Sequence, residues 1–590
     1  MKKLIYGTLF LATLGIGFIS CKKEIIESSN INKQDAAIVS SKSTSVVPVV
    51  AESMTALGNQ LQNPYSLLNM QAAFNLLSQS TTYALQTTDL YVRIKPSSIE
   101  EIKQLEDLGV DLWDTPFDYE ITSYGDYYHD PSLPENEYTY FYAVVKPNFQ
   151  FPSSINYLIL DQLFLPYNAI TGSQSSLNEG VNFENLEYKS LELTSNLLPD
   201  EILEGLAPKY NPQGKIKVQN YVNHNGGLTT VVPVKNVKVR ARRWFYMDSD
   251  YTDNNGEFYI NLRFRKNTDI IVIFENDKVN IRSIRGWNVQ NMFNTVRKNI
   301  GEFDGQDLEN IDFTFQNTTG VETEQKAHWM AAQTINSMAS FREHCSNDGI
   351  GAPLNNLNLW LTTKITSDAA APMLKKMANT SLFSNFYSAF LVVTGHPLAA
   401  AIKQIVQQYL PDITYDYNRS FTALASDRVS NTLFHEFAHS IHYAKVGNGY
   451  WATYVGYVIV HLGYGQSSSI GSGRIEVSET WAETIGDIYS DRDFPNFTSN
   501  NNSYTYYLER QTPTTNNWFR EGFMYDLIDN GEDNNFTPYI DNVNAYTITH
   551  LYNAMDQDVQ SIYQFYTKIL SENNNLQWSQ MSDYAASHGF

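Results

Sequence analysis

Three histidines and a glutamate crowd the stretch NTLFHEFAHSIHYAKVG, residues 431–447, in a chain with only 11 histidines. His435, Glu436 and His439 spell H-E-x-x-H, a spacing with a mechanical meaning in a helix. Residues four apart sit one turn above each other on the same face, so both imidazoles can aim at a single ion. A zinc ion would lie about 2.0–2.1 Å from each nitrogen. Glu436 projects from the neighbouring position, beside the ion, where a carboxylate can take a proton from water and pass it to a leaving amine. The segment reads as a helix: Ser430 or Asn431 offers a cap, and Phe434, Phe437, Ala438 and Ile441 form an apolar stripe. His442 shares the face but lies about 10 Å along the axis from His435 at 1.5 Å per residue. It is read as a supporting or structural residue.

A catalytic zinc site needs a third protein ligand and one open position. EVSETWAETIGDIYSD, residues 476–491, supplies candidates on a second helical pattern. Glu479, Glu483 and Asp487 are each four apart and face the same way. One carboxylate can bind the ion while the next braces a ligand histidine. The plain alternative is a solvated acidic face, but Trp481, Ile485 and Ile488 indicate that this helix is packed.

With these two segments in view, the chain resembles the gluzincin metallopeptidases, in which H-E-x-x-H is followed by a helix carrying E-x-x-x-[DE]. SETWAE is similar to the GEGWSD of fungalysins and the EGxAE of bacterial collagenases, which implies Glu479 as ligand and Glu483 as brace. ETIGDIY is equally similar to the EAISDIF of thermolysin-type peptidases, which would shift those roles to Glu483 and Asp487. The tryptophan two residues after Glu479 favours the first alignment. The resemblance implies one zinc ion per chain, a peptide or protein substrate and Glu436 as general base. It covers the last 260 to 300 residues, with residues 447–475 as an insertion. Lys445 stands where metzincins need a histidine, so that branch is excluded. Tyr450, Tyr454, His461, Tyr464 and Tyr525 are all eligible to stabilise an oxyanion. WFREGFMYDLID (518–529) is similar to the W-x-x-E-G-F of aminopeptidases, and Glu521 is read there as bordering the site.

These elements belong to a chain of 590 residues, too long for one compact core. It is 42% hydrophobic and 18% charged, with a formal net charge of −22. Such a surface repels phosphate backbones and anionic lipid, so nucleic acid and electrostatic membrane binding are disfavoured. The N-terminus, MKKLIYGTLFLATLGIGFISCKKE, has a basic start, a short apolar run and then Cys21. It resembles a bacterial lipoprotein signal, which implies cleavage after residue 20, lipid on Cys21 and a cell-envelope location. The membrane would then be met through the lipid anchor alone. With Cys345 as the one other cysteine, a disulfide framework is excluded.

The expected architecture is multidomain α+β. Residues 21–48 are a Ser-rich tether after a signal at 1–20. Residues 49–205 form a small α+β domain, in which LYVRIKP (90–96) is a strand and SSIEEIKQLEDLG a helix with Gly109 as its stop. A second PSSI at 152–155 opens NYLILDQLF as an echo of that unit, a ferredoxin-like expectation. Residues 206–285 read as strands, with a turn at Asn255-Gly256, and resemble the transthyretin-like, carboxypeptidase-regulatory β-sandwich. Lys238, Arg240 and Arg242 alternate with Val237, Val239 and Ala241 as a solvated strand face. Residues 286–590 are the peptidase region, mainly helical with a small sheet. QKAHWMAAQTINSMASFREH is a helix and NLNLWLTT a strand. Two readings from different classes remain: a lipid-anchored zinc peptidase, and a surface lipoprotein that binds zinc or glycan without turnover.

Overall fold

The fold is that of a computed structural model, which describes residues 54–590 except 79–82, 98, 126, 135–136, 172–180, 223–227, 285–293, 319–322, 363–368, 378–409, 418–424, 462, 496–502, 509–517, 530–538 and 540–541. The expected signal, Cys21 and the tether lie outside the described residues. The chain is mixed α+β, with several sheets and a helical C-terminal region.

The first unit comprises β1 (Ala56–Gln60), α1 (Leu67–Ser78), β2 (Asp89–Lys95), α2 (Ile99–Asp107), β3 (Tyr119–Ser123), β4 (Phe141–Val145), β5 (Asn156–Leu163) and α3 (Phe183–Leu193). Strand β2 lies between β4 and β5, antiparallel to both. As a central strand it buries Val92 and Ile94 on one face and Tyr91 on the other. Helix α2 forms where the spacing predicts it, with Leu105 fully buried and Gly109 beyond its end at φ 77°.

The second PSSI does not repeat this. NYLILDQL is strand β5, paired with β2 from Asn156 to Leu163 with one register shift at Tyr91/Val92. SSIEEIK spaces isoleucine and glutamate for a helix, whereas Tyr157, Leu158, Ile159 and Leu160 are consecutive apolar residues with no polar face to wet. All four are exposed on an edge strand. The ferredoxin-like expectation fails with it, because the sheet has three strands among the described residues.

The middle region contains β6 (Gln213–Val222), β7 (Leu228–Pro233), β8 (Lys238–Arg243), β9 (Tyr246–Tyr251), β10 (Glu257–Tyr259), β11 (Thr268–Ile273), β12 (Val279–Ile284), β13 (Arg297–Phe303) and β14 (Ile311–Phe315), and all of these but β12 build two four-stranded sheets. One sheet has β6 between β14 and the pair β7 and β10; the other runs β13-β11-β8-β9. Ile216 and Val218 from the first and Val239, Ala241, Ile270 and Val272 from the second enter one core. Gly214 is required where β14 passes: a Cβ there would lie 1.9 Å from the Ile311 carbonyl oxygen. The strands do not stop near 285. β13 and β14 return to complete the two sheets, and β12 leaves them to pair in parallel with a strand of the C-terminal region.

The basic row of β8 is not solvated. Arg240 and Arg242 are each only 4% exposed. The first unit covers them with the loop DLWDTPF, residues 111–117. Trp113 receives the guanidinium groups of Arg240, Arg242 and Arg297 at 5.1, 5.9 and 4.7 Å from its ring centre. Asp111 pairs with Arg240, and both oxygens of Asp114 accept from Arg297 at 2.9 and 2.8 Å. Flat guanidinium groups tolerate burial when rings cover their faces and carboxylates meet their edges. Beside this patch, Phe245, Ile271 and Ile273 share a core with Tyr65, Tyr91 and Phe117 of the first unit. The alternation of β8 was legible, but its charged face is an internal interface.

The C-terminal region contains α4 (Glu324–Asn347), β15 (Leu357–Thr362), β16 (Ala369–Ala370), β17 (Ile413–Asp416), α5 (Ser426–His461), α6 (Ser472–Asp493), α7 (Ile548–Ala554), α8 (Ile562–Glu572) and α9 (Trp578–Ser587). Its sheet runs β12-β15-β17-β16, with the first three strands parallel. Every residue of β15 is buried, as a strand covered on both faces must be. Helix α4 starts at a Thr323 cap and packs Phe341 against Phe434, Phe437 and Tyr489. It also carries Cys345, fully buried, with its thiol pushed up to about 12 by burial.

The Arg297–Asp114 pair allows a direct test of the covered face. Asp114 is buried, so Arg297→Leu should strand its charge and cost about 3–5 kcal/mol. The double variant Arg297→Leu/Asp114→Leu should recover a large part of that loss. Additive losses in urea unfolding would show that the two side chains do not act as a pair.

Candidate metal centre

Helices α5 and α6 carry the candidate ligands, and their packing sets where those ligands meet. Leu433, Phe434, Phe437, Ala438 and Ile441 are fully buried, so the apolar stripe of α5 is the packed face the sequence predicts. The cap is not where it was expected. The helix begins at Ser426, and Asn431 lies inside it, donating to Asp487 at 2.7 Å and to Ser490 at 3.0 Å on α6. Ser430 instead meets Ser337 of α4 at 3.1 Å. On the facing helix, a Cβ at Gly486 would lie 3.1–3.3 Å from the backbone and Cβ of His435. Glycine is what lets the two backbones come this close. One and a half turns away, the Trp481 indole donates to the Ala438 carbonyl at 3.1 Å.

The result is a convergence of three buried groups, His435, His439 and Glu479, whose ligand atoms all lie within 4.8 Å of one another. The two imidazole Nε2 atoms are 3.1 Å apart. His435 Nε2 is 3.3 Å from Glu479 Oε2, and His439 Nε2 is 3.5 Å from Glu479 Oε1. Tetrahedral ligation at about 2.0–2.1 Å spaces ligand atoms about 3.3–3.4 Å apart. The two imidazole nitrogens are near that spacing and each oxygen of Glu479 lies 3.3–3.5 Å from a different one of them, so the three residues are placed to hold a metal ion. Burial alone would push the Glu479 carboxyl up; the His439 and His435 imidazoles beside it outweigh that and hold it well below the usual carboxylate range.

The other residues singled out from the sequence take distinct places. Glu483 lies behind the ligand set, 3.7 Å from His435 Nδ1. Asp487 is a turn further on, occupied by Asn431. Glu436 is 0% exposed. Burial pushes the Tyr415 phenol of β17 up, and the Asp416 and Glu436 carboxylates add to that rise. Of the aromatic candidates, Tyr454 donates to Glu479 Oε1 and Tyr464 to Oε2 at 2.9 Å. His461 stacks on Tyr457 at 4.2 Å, and Tyr450 lies 5.2 Å from His442. Glu521 opens a 3-10 turn against α6, where Arg520 pairs with Glu476. Tyr525 closes that turn.

Sequence reasoning missed what residues 447–475 do. Gly447 breaks α5 with φ 77° and ψ 179°, and the helix resumes on a new line. That second stretch and the loop after it bring Tyr454 and Tyr464 back over Glu479. The abundance of tyrosine there was visible, but nothing local gave its direction.

His442 is 1% exposed, boxed by Tyr450 and Trp451, and neither ring nitrogen has a hydrogen-bond partner among the described residues. Burial pushes its pKa down to about 3, with the His439 and Lys445 charges adding to the effect. The folded chain therefore keeps this imidazole neutral while the unfolded chain protonates it below pH 6.5, so stability falls as pH drops from 6.5 toward 3. At pH 5 the loss is about 2 kcal/mol. In the metal-free protein, His442→Phe should remove about that much from the difference in unfolding free energy between pH 7 and pH 5. An unchanged difference would place the acid sensitivity elsewhere.

Comparison with protein-family models, curated proteins and solved structures returns no match, so the chemistry of this chain is read from the geometry of its own residues.

Proposed function

We propose that the chain is a zinc-dependent peptidase. The observation that carries this reading is the buried convergence of His435, His439 and Glu479, whose ligand atoms lie within 4.8 Å of one another, with Glu436 buried one residue from a ligand. Zinc held there supplies electrophilic assistance to a peptide carbonyl and lowers the pKa of water to about 7. The remaining work falls to the chain. His435, His439 and Glu479 hold the ion, and Glu483 orients His435 through its second ring nitrogen. Glu436 accepts the proton of the attacking water on a carboxylate oxygen and returns it to the leaving amine. The substrate is a protein or peptide. With Cys21 as a lipidated residue, the enzyme sits at the cell envelope, held by lipid; no helix among the described residues is long and apolar enough to cross a membrane.

The rival reading is a zinc- or glycan-binding surface lipoprotein without turnover. A binding scaffold has no use for a general base, yet the H-E-x-x-H is complete, with Glu436 buried beside the ligand His435. That favours the peptidase.

Metal content separates the two carboxylates of α6. Wild-type protein dialysed against zinc should retain about one ion per chain, and Glu479→Gln should lose it. Glu483→Gln should keep it with affinity reduced about 10- to 100-fold. The reverse pattern in a metal analysis would make Glu483 the ligand.

Catalysis is tested at Glu436. Glutamine keeps the shape but accepts no proton at neutral pH, so Glu436→Gln should retain zinc and lose hydrolysis of an unfolded protein by at least about 10²- to 10⁴-fold. Zinc-loaded Glu436→Gln that cleaves at the wild-type rate would remove this residue from the mechanism, and chelator-insensitive or absent hydrolysis in wild type would favour the binding protein.

A further inference from the structure

The third ligand is held in an unusual way. Each oxygen of Glu479 faces one imidazole and also accepts from one phenol: Oε1 lies toward His439 and takes the Tyr454 hydroxyl, and Oε2 lies toward His435 and takes that of Tyr464. We infer that Tyr454 and Tyr464 are positioning residues, a two-phenol clamp that fixes the plane of Glu479 and thereby sets how tightly this chain binds its metal. The inference rests on the metal reading of the site.

Two hydroxyls on opposite oxygens remove the rotation that a carboxylate otherwise keeps about its last bond. Each oxygen has a second lone pair, so accepting from a phenol leaves it able to meet an ion. A carboxylate already ordered and already aimed loses less freedom on binding, and partners of metal ligands of this kind are worth about 10- to 100-fold in affinity.

The clamp is itself supported. Tyr454 is buried and stacks on Trp451 at 4.7 Å, and Trp451 is tied to the Ala371 carbonyl at 3.1 Å. Tyr464 belongs to the loop between α5 and α6. Its carbonyl accepts from Tyr457 at 3.1 Å, its ring meets Phe519 at 4.7 Å, and the next carbonyl, of Gly465, accepts from the Trp518 indole at 3.2 Å. The break at Gly447 thus has a purpose: a straight helix would carry Tyr454 away from Glu479. The WFREGF stretch acts on the same loop, bracing Tyr464 through Phe519 and Trp518.

The test is the affinity of the full chain for Zn2+, measured by competition with a chromophoric chelator, together with the visible absorption of the Co2+-substituted protein. Tyr454→Phe and Tyr464→Phe each keep the ring and delete only the donor, and Tyr563→Phe, at an exposed position of α8 outside the site, is the control. Zn2+ affinity should fall about 10- to 100-fold in each clamp variant, and the Co2+ spectrum should change as the carboxylate shifts, with the control like wild type. Circular dichroism and urea unfolding of the metal-free proteins identify any variant that fails to fold; the other clamp variant then carries the test. Unchanged affinity and an unchanged Co2+ spectrum in a folded clamp variant would overturn the clamp while leaving the metal site standing. Wild-type protein that binds neither ion would overturn the site and the clamp together.

Discussion

The contact on which the site depends is the close approach of α6 to α5 at Gly486 and His435. Two helices without that glycine would stand apart by at least a side chain, and the carboxylates of α6 would hang beyond reach of the imidazoles. Its consequence is specific in height as well as distance. With Gly486 against the His435 backbone, the residue seven before it, Glu479, arrives at the two Nε2 atoms, while Glu483 falls behind His435. The Trp481 and Asn431 hydrogen bonds fix the same register from either side. Ligand choice on α6 is therefore a packing decision.

This explains what the sequence disclosed and what it withheld. H-E-x-x-H is legible because both imidazoles and the glutamate are placed by one helix, within two turns. Glu479 and Glu483 are not separable by the same reasoning, since residues four apart share a face and only the height of docking distinguishes them. Tyr454 and Tyr464 were visible as phenols but not as partners, because a glycine break and a loop decide where they point. The misreading of NYLILDQL has the same origin: a run of apolar residues carries no period, and β5 exists because β2 offers it an edge.

The basic face of β8 shows how composition misleads when surfaces meet. Alternating lysine and arginine on a strand usually means water on that side. Here the covering comes from Trp113, Phe117 and two aspartates more than a hundred positions earlier. The first unit is thus bound to the middle region by stacked guanidinium groups and by Phe245, Ile271 and Ile273. Ion pairs such as Lys209 and Arg265 with Glu187 and Arg297 with Asp114 tie the first unit to the middle region, which in turn joins the helical one. Strand β12 extends that joint as the edge of the C-terminal sheet.

Cys345 has a practical side. Its sulfur is sealed inside α4 and stays a thiol at any pH near neutrality, so it neither attacks electrophiles nor takes part in exchange. The only other cysteine in the chain is at position 21, the residue proposed to carry lipid. A single cysteine introduced on the surface would then be the one reactive handle on the folded body. Spin labels or fluorophores could be attached to it to follow the Tyr464 loop without first stripping out native thiols.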